Sequence, residues 1–271
     1  MKSLRYFASS VKNAIMLSFA FLLLVACDAD DKSGALCETH FNAKSYKVAV
    51  KHCEKAVEHD HADAKYYLGL MYIEQGKKTE GQALIEASAK AGFHKAEFHQ
   101  TVKALLEGED SERTAQALQR MQQYAEAGDD VAQYWMGNVF LFGSAKQKPS
   151  PNEASYWYQM AVKQNNLRAM NNLAWIKALA RESELYDPAG AVELALKVVK
   201  KYPKSHGYLD TLAAAYAANG QYELAVEVQQ KVIEIAKSSE CENCTPKLVE
   251  YYQGHLEHYL KKEPLEESLF D

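Results

Sequence analysis

Proline is scarce, with six in 271 residues. With hydrophobic residues at 48%, so little proline leaves a chain able to bury a substantial core, and disorder is not its default state. Basic charge is also short: 31 Lys and Arg stand against 36 Asp and Glu, a formal net charge of −5. The first 26 residues carry Lys2, Arg5 and Lys12 and no acid, so the remainder is more acidic still. Without a basic face, nucleic-acid phosphates are excluded as partners, and the body has no electrostatic attraction to an anionic membrane surface. No glycine-rich phosphate loop and no alternating strand pattern is present, which argues against a nucleotide-binding fold. No G-x-S-x-G, no H-E-x-x-H and no triad whose members can be placed together occurs either. The expectation is a protein that is not an enzyme and uses no cofactor. Long hydrophobic runs are missing too, since the apolar stretch Ala14–Val25 has 12 residues and a membrane span needs about 20.

That stretch has another meaning. It follows three positive charges and ends in Leu24-Val25-Ala26-Cys27, after which the polar DADDKSGA begins at once. The arrangement of charged region, short apolar core and small residue before cysteine resembles the lipobox of bacterial lipoproteins. The resemblance implies that residues 1–26 are a signal peptide and that Cys27 becomes the acylated N-terminus, with several chains holding it at the membrane. An uncleaved anchor, or a secretory signal with a chance cysteine, is the alternative. Asp28 resembles the inner-membrane retention signal of enteric-type lipoproteins, so the expected place is the cell envelope, facing the periplasm. Residues 27–36 make a lipidated N-terminus and short linker. From Asp28 to Leu36 the chain reaches about 30 Å, which keeps the body close to the bilayer.

The body repeats. Tyr208 to Lys237 places Leu209, Leu212, Ala213 and Tyr216 at large-x2-large-small-x2-Tyr spacing, turns at Gly220-Gln221-Tyr222, and opens a second helix at Ala225. Ala191 and the closing Pro203 reproduce this punctuation one repeat upstream. Leu68-Gly69-x2-Tyr72 and Gly76 supply another copy. This spacing resembles tetratricopeptide (TPR) repeats. Met136-Gly137-x2-Phe140-x2-Gly143, a longer loop, and Glu153-Ala154-x2-Trp157-Tyr158-x2-Ala161 resemble the Sel1-like (SLR) variant. In the section 94–128, Gln100, Thr101 and Ala104 stand where large, small and aromatic residues are expected, so it reads as a degenerate repeat. The resemblance implies an all-α fold, an α/α superhelical solenoid over residues 37–262. Its six helix pairs fall at 34–58, 62–91, 94–127, 131–164, 168–201 and 205–237. A capping helix over 247–262 carries Leu248, Tyr252, Leu256 and Tyr259 on one stripe. An acidic tail, 263–271, follows.

Four cysteines remain besides Cys27, and four allow three connectivities. In the repeat frame Cys37 takes the small position of the first helix and Cys53 the inward aromatic position of its partner. Those positions face each other, which suits a disulfide in an oxidising compartment; two buried thiols are the plainer alternative. Cys241-Glu-Asn-Cys244 is expected to close a local structural disulfide; a redox pair is one alternative, and zinc with His255 and His258 another, although that spacing falls outside the usual zinc-finger range. His52, His59, His61, His94 and His99 read as scattered surface residues, and Tyr67, Tyr72, Tyr216 and Tyr222 as packing residues.

In repeat proteins of these families, first-helix residues that do not pack on the second helix line a concave groove where peptides dock. The matching positions are Tyr66, Leu70, Tyr134, Asn138, Arg168, Asn171, Trp175 and Asp210, though Tyr134 and Trp175 also suit gap-filling between repeats. The expected partners are a protein or peptide in that groove and the membrane through the acyl chains. The reading is an envelope adaptor, similar to TPR lipoproteins that serve exopolysaccharide export, pilus secretins or envelope proteases. A peptidoglycan- or small-ligand-binding or hydrolytic SLR protein is the competing class.

Overall fold

A computed structural model describes residues 32–107, 112–144, 147–239, 241 and 244–265. The expected signal peptide, Cys27, Asp28, the linker up to residue 31 and the tail from residue 266 lie outside the described residues. Among those described, thirteen helices account for the regular structure, and the sole β feature is an isolated bridge between Ser144 and Gln147. They are α1 (32–42), α2 (Tyr46–Glu58), α3 (Ala62–Glu74), α4 (Lys78–Lys90), α5 (His94–Glu107), α6 (Glu112–Glu126) and α7 (Asp130–Phe142). There follow α8 (Pro151–Lys163), α9 (Leu167–Leu179), α10 (Pro188–Lys201), α11 (His206–Ala218), α12 (Tyr222–Lys237) and α13 (Pro246–Leu260). The all-α repeat class and the expected pair boundaries agree with this to within a few residues. The degenerate section also forms two helices, α5 and α6. Thr101 occupies the small position there because its hydroxyl bonds the Glu97 carbonyl at 2.8 Å, leaving no buried polar group unpaired.

The helix ends follow from local chemistry. Asp129, Asn166, Asp187 and Thr245 accept from the backbone N–H three residues on, capping α7, α9, α10 and α13. Gly76 and Gly220, read from the sequence as turns, take positive φ of 84° and 75° after α3 and α11, a conformation glycine adopts without a Cβ penalty.

The described residues fall into two compact units, divided between Lys103 and Ala104. In the first, α2 packs on α3 and α3 on α4. Its core gathers Cys37, Ala49, Cys53, Ala56, Ala64, Tyr67, Leu68 and Met71. Cys37 and Cys53 are fully buried and disulfide-bonded, with Cα atoms 4.8 Å apart. The closed loop of 16 residues contributes about 3 kcal/mol in the chain-entropy account. The α3–α4 contact is close because Gly69 faces Gly81: a Cβ on Gly69 would sit 2.7 Å from the Gly81 carbonyl oxygen.

In the second unit, α7 packs on α8, α9 on α10, α11 on α12, and α13 on α12. Alanine dominates the contacts between pairs: Ala174, Ala178, Ala191, Ala195, Ala213 and Ala225 are all buried in one cluster with Leu212 and Tyr259. Small side chains let two helices approach, and the larger Leu and Tyr fill the space around them.

Candidate functional site

The second unit carries a cavity of about 590 Å³ lined by α5, α7 and the turn after it, with α9 contributing one residue. Its apolar lining includes Leu105, Leu106, Tyr134, Trp135, Val139 and Phe142. Leu106 and Phe142 are 67% and 73% exposed, far more than packing would leave for such residues. Beside them lie two amides, Asn138 and Asn172. The Tyr158 hydroxyl donates to Asn138 Oδ1 at 2.7 Å, and Asn172 Nδ2 donates to the same oxygen at 3.0 Å. Tyr158 is fully buried, and burial pushes its phenol well above the ordinary range, so it remains a hydrogen-bond donor. The amides are thereby held in fixed orientations at the edge of an apolar trough, with capacity left for a ligand's backbone N–H or C=O.

The turn that completes this trough follows from α7. A Cβ on Gly137 would collide with the Tyr158 ring, so glycine there admits the tyrosine that anchors Asn138. Gly143 takes a positive φ of 77°, which sends the chain past Ser144, whose hydroxyl donates to the Leu105 carbonyl at 3.2 Å.

Of the residues chosen from the sequence, Tyr134 and Asn138 line the cavity. Tyr134 also packs against the cluster of Leu141, Ala154, Tyr158 and Leu173, so one side chain both lines the cavity and fills space between helices. Arg168 is exposed and Asn171 half-buried, on the same helix as Asn172 but outside the lining. Trp175 packs on the alanine-rich cluster and stands 6.2 Å from the His255 ring, centroid to centroid, which is the gap-filling role. Asp210 is a correction. It does not face a groove but is 5% exposed, accepting from Gln229 Nε2 at 2.8 Å and lying 2.9 Å from His255 Nδ1. The cause is α13, which packs on α12 and touches α11, covering the face left open in earlier repeats.

Tyr66 and Leu70 belong to the first unit, both half-buried. Tyr66 joins an aromatic group with Tyr67, Phe93 and His99. Next to it Lys95 Nζ meets the Tyr67 hydroxyl at 2.7 Å and Glu38 Oε1 at 3.0 Å. The Tyr67 hydroxyl, and then Lys95, hold the Glu38 carboxyl below its usual range.

Reasoning from sequence missed Leu106, Phe142, Trp135 and Asn172. Leu106 lies in the degenerate repeat, where no frame could be set, and Phe142 closes its helix outside the repeat pattern. Asn172 was one residue from the chosen Asn171, and one residue turns a helical side chain by about 100°. The zinc set of Cys241, Cys244, His255 and His258 is not assembled. His255 is buried against Asp210, and His258 Nδ1 lies 3.9 Å from Glu263. Cys241 and Cys244 are disulfide-bonded, Cα atoms 5.4 Å apart.

No protein-family model matches the chain, and no curated protein does. Solved structures do. A Sel1 repeat protein from Oxalobacter formigenes is similar at 19% identity and TM-score 0.54, over 86% of this chain and 88% of that one. The antigen c5321 of uropathogenic Escherichia coli, which displays an SLR fold, is similar at 18% identity and TM-score 0.53 over 84% of this chain. This chain spans about half of that antigen, 53% of its length. The likeness establishes the fold as that of SLR-type helical repeats.

Proposed function

We propose that this chain is a lipid-anchored adaptor facing the periplasm, which holds a peptide segment of a partner protein in the Leu106–Phe142 cavity. The observation that carries the reading is the pairing of two strongly exposed apolar side chains with two oriented amides in one trough. Exposed apolar surface beside fixed hydrogen-bonding groups is what an extended or helical peptide requires. Binding fits better than catalysis, because Tyr134 is the only titratable side chain in the described lining. The anchor rests on the Leu24-Val25-Ala26-Cys27 motif and on the three cations before it. The mixed TPR-like and SLR-like repeats favour a partner in an envelope assembly, of which an exopolysaccharide exporter, a pilus secretin and a protease complex are the candidates.

Both halves are open to test. A photo-crosslinking residue at Phe142 of the full chain, expressed in its own envelope, should give one discrete protein adduct. The same residue at Tyr202, also exposed, should not. The Leu106→Ala/Phe142→Ala variant should abolish co-purification of that partner while changing stability by less than about 0.5 kcal/mol, as for surface residues. Equal labelling from both positions, or none from Phe142, overturns the docking site. Cys27→Ser should move the protein from the membrane to the soluble fraction and remove acyl labelling. A full-length variant that stays membrane-bound overturns the anchor.

A further inference from the structure

Cys241 and Cys244 lie in the connection between α12 and α13, and folding places them beside His206, the first residue of α11. Both sulfurs and a ring nitrogen of His206 lie within 4.8 Å of one another, and none of the three residues is fully buried. No spacing rule links His206 to the cysteines, since α11 and α12 intervene. The imidazole is fixed in place: its Nδ1 is 2.7 Å from the Tyr252 hydroxyl, and the two ring centroids are 5.7 Å apart. Tyr252 is itself buried on α13, so its hydroxyl is a rigid partner. An imidazole that ligates a metal through one nitrogen is normally oriented by a hydrogen bond at the other. Two thiolates separated by two residues, with an imidazole, form three-quarters of a tetrahedral zinc set. Metal–ligand bonds of about 2.0–2.3 Å put tetrahedral donors roughly 3.5–3.8 Å apart, so on reduction the two bonded sulfurs must part while the imidazole nitrogen, within 4.8 Å of them, closes in.

We propose that Cys241, Cys244 and His206 form a redox-gated site for one zinc-type divalent cation, closed while the disulfide stands and opened by its reduction. The chemistry balances simply. A dithiol reductant supplies two electrons and two protons, becoming a disulfide itself, and the Cys241–Cys244 bond becomes two thiols. The cation then displaces both thiol protons to solvent, because thiolates are the ligands. Three protein donors leave a fourth position for water or a partner's side chain. Thiolate and imidazole together select zinc over calcium or magnesium, which prefer oxygen donors.

The test uses the full chain, reduced anaerobically with a phosphine and titrated with Co²⁺ as a spectroscopic probe. One equivalent should bind with near-ultraviolet thiolate-to-cobalt absorption, and Zn²⁺ should displace it. The oxidised chain should bind none. His206→Ala should weaken binding at least tenfold at unchanged helicity. The Cys241→Ser/Cys244→Ser variant should abolish binding, which excludes Cys37, Cys53 and Cys27 as the source. Should His206→Ala not fold, Tyr252→Phe should still lower affinity about tenfold by freeing the imidazole. Absence of Co²⁺ binding by the reduced chain overturns the proposal. So does unchanged affinity in a folded His206→Ala protein, or in Tyr252→Phe where His206→Ala does not fold, and so does binding that survives both serines.

Discussion

Replacing Asp210 with alanine should cost about 3–5 kcal/mol of stability, the range for removing one partner of a buried charged or strongly polar pair. Asp210 Oδ1 receives Gln229 Nε2 and lies at hydrogen-bond distance from His255 Nδ1, and all three side chains are buried. Gln229 already has its Oε1 buried with no hydrogen-bond partner among the described residues, so the cluster has little reserve. Without the carboxylate, the Gln229 amide keeps only the Tyr252 carbonyl at 3.1 Å, and His255 Nδ1 loses the Asp210 oxygen, in a site closed to bulk water. His255→Ala should be similarly costly, since it also removes the ring that packs beside Trp175 and Tyr251. Asp210→Asn, which keeps one acceptor, should lose distinctly less. Denaturant unfolding of the three variants reads this directly. If Asp210→Ala unfolds within about 0.5 kcal/mol of the parent while partner capture at Phe142 is lost, Asp210 is a surface residue and the burial described above is wrong.

A second large effect should appear with opposite signs at two helical glycines. Gly69→Ala should destabilise by about 1–3 kcal/mol, as overpacking does. Its new Cβ would meet the Gly81 carbonyl oxygen and Ile85 Cγ1, each at 2.7 Å. The first of these is backbone and cannot rotate away, so α3 and α4 must separate. Gly254→Ala, in the middle of α13, meets nothing within 4 Å and should stabilise by about 0.5–1 kcal/mol through helix propensity and a less flexible unfolded chain. Thermal melts of the two variants side by side suffice. A gain at Gly69 would show that the α3–α4 approach is looser than described. A loss at Gly254 would show that α13 lies against something at that position.

Much of this molecule was legible from residue spacing. Leu68-Gly69, Met136-Gly137 and Leu212-Ala213 marked three helix contacts correctly because close approach admits only a small side chain at the crossing. That requirement acts within one repeat, between helices adjacent in sequence, so it leaves a periodic trace. The same local logic set the glycine turns and the pairing of Cys37 with Cys53 across one helix hairpin.

What the tertiary structure decided involves residues with no fixed offset between them. The cavity joins Leu106 of α5 to Phe142 of α7 and Asn172 of α9, and the lengths of the intervening loops determine who meets whom. Asp210 shows the reason most plainly. By repeat position it belongs with Tyr134 and Asn171, on a face that solvent or a partner would cover. The terminal helix α13 covers that face instead and brings His255 to the carboxylate. It also sets Tyr252 against His206, in reach of Cys241 and Cys244. A periodic sequence specifies each repeat by its neighbours, but the last repeat has a neighbour on one side only. What lies on the other side is written in α13, a segment outside the period, and only packing shows which buried groups it meets.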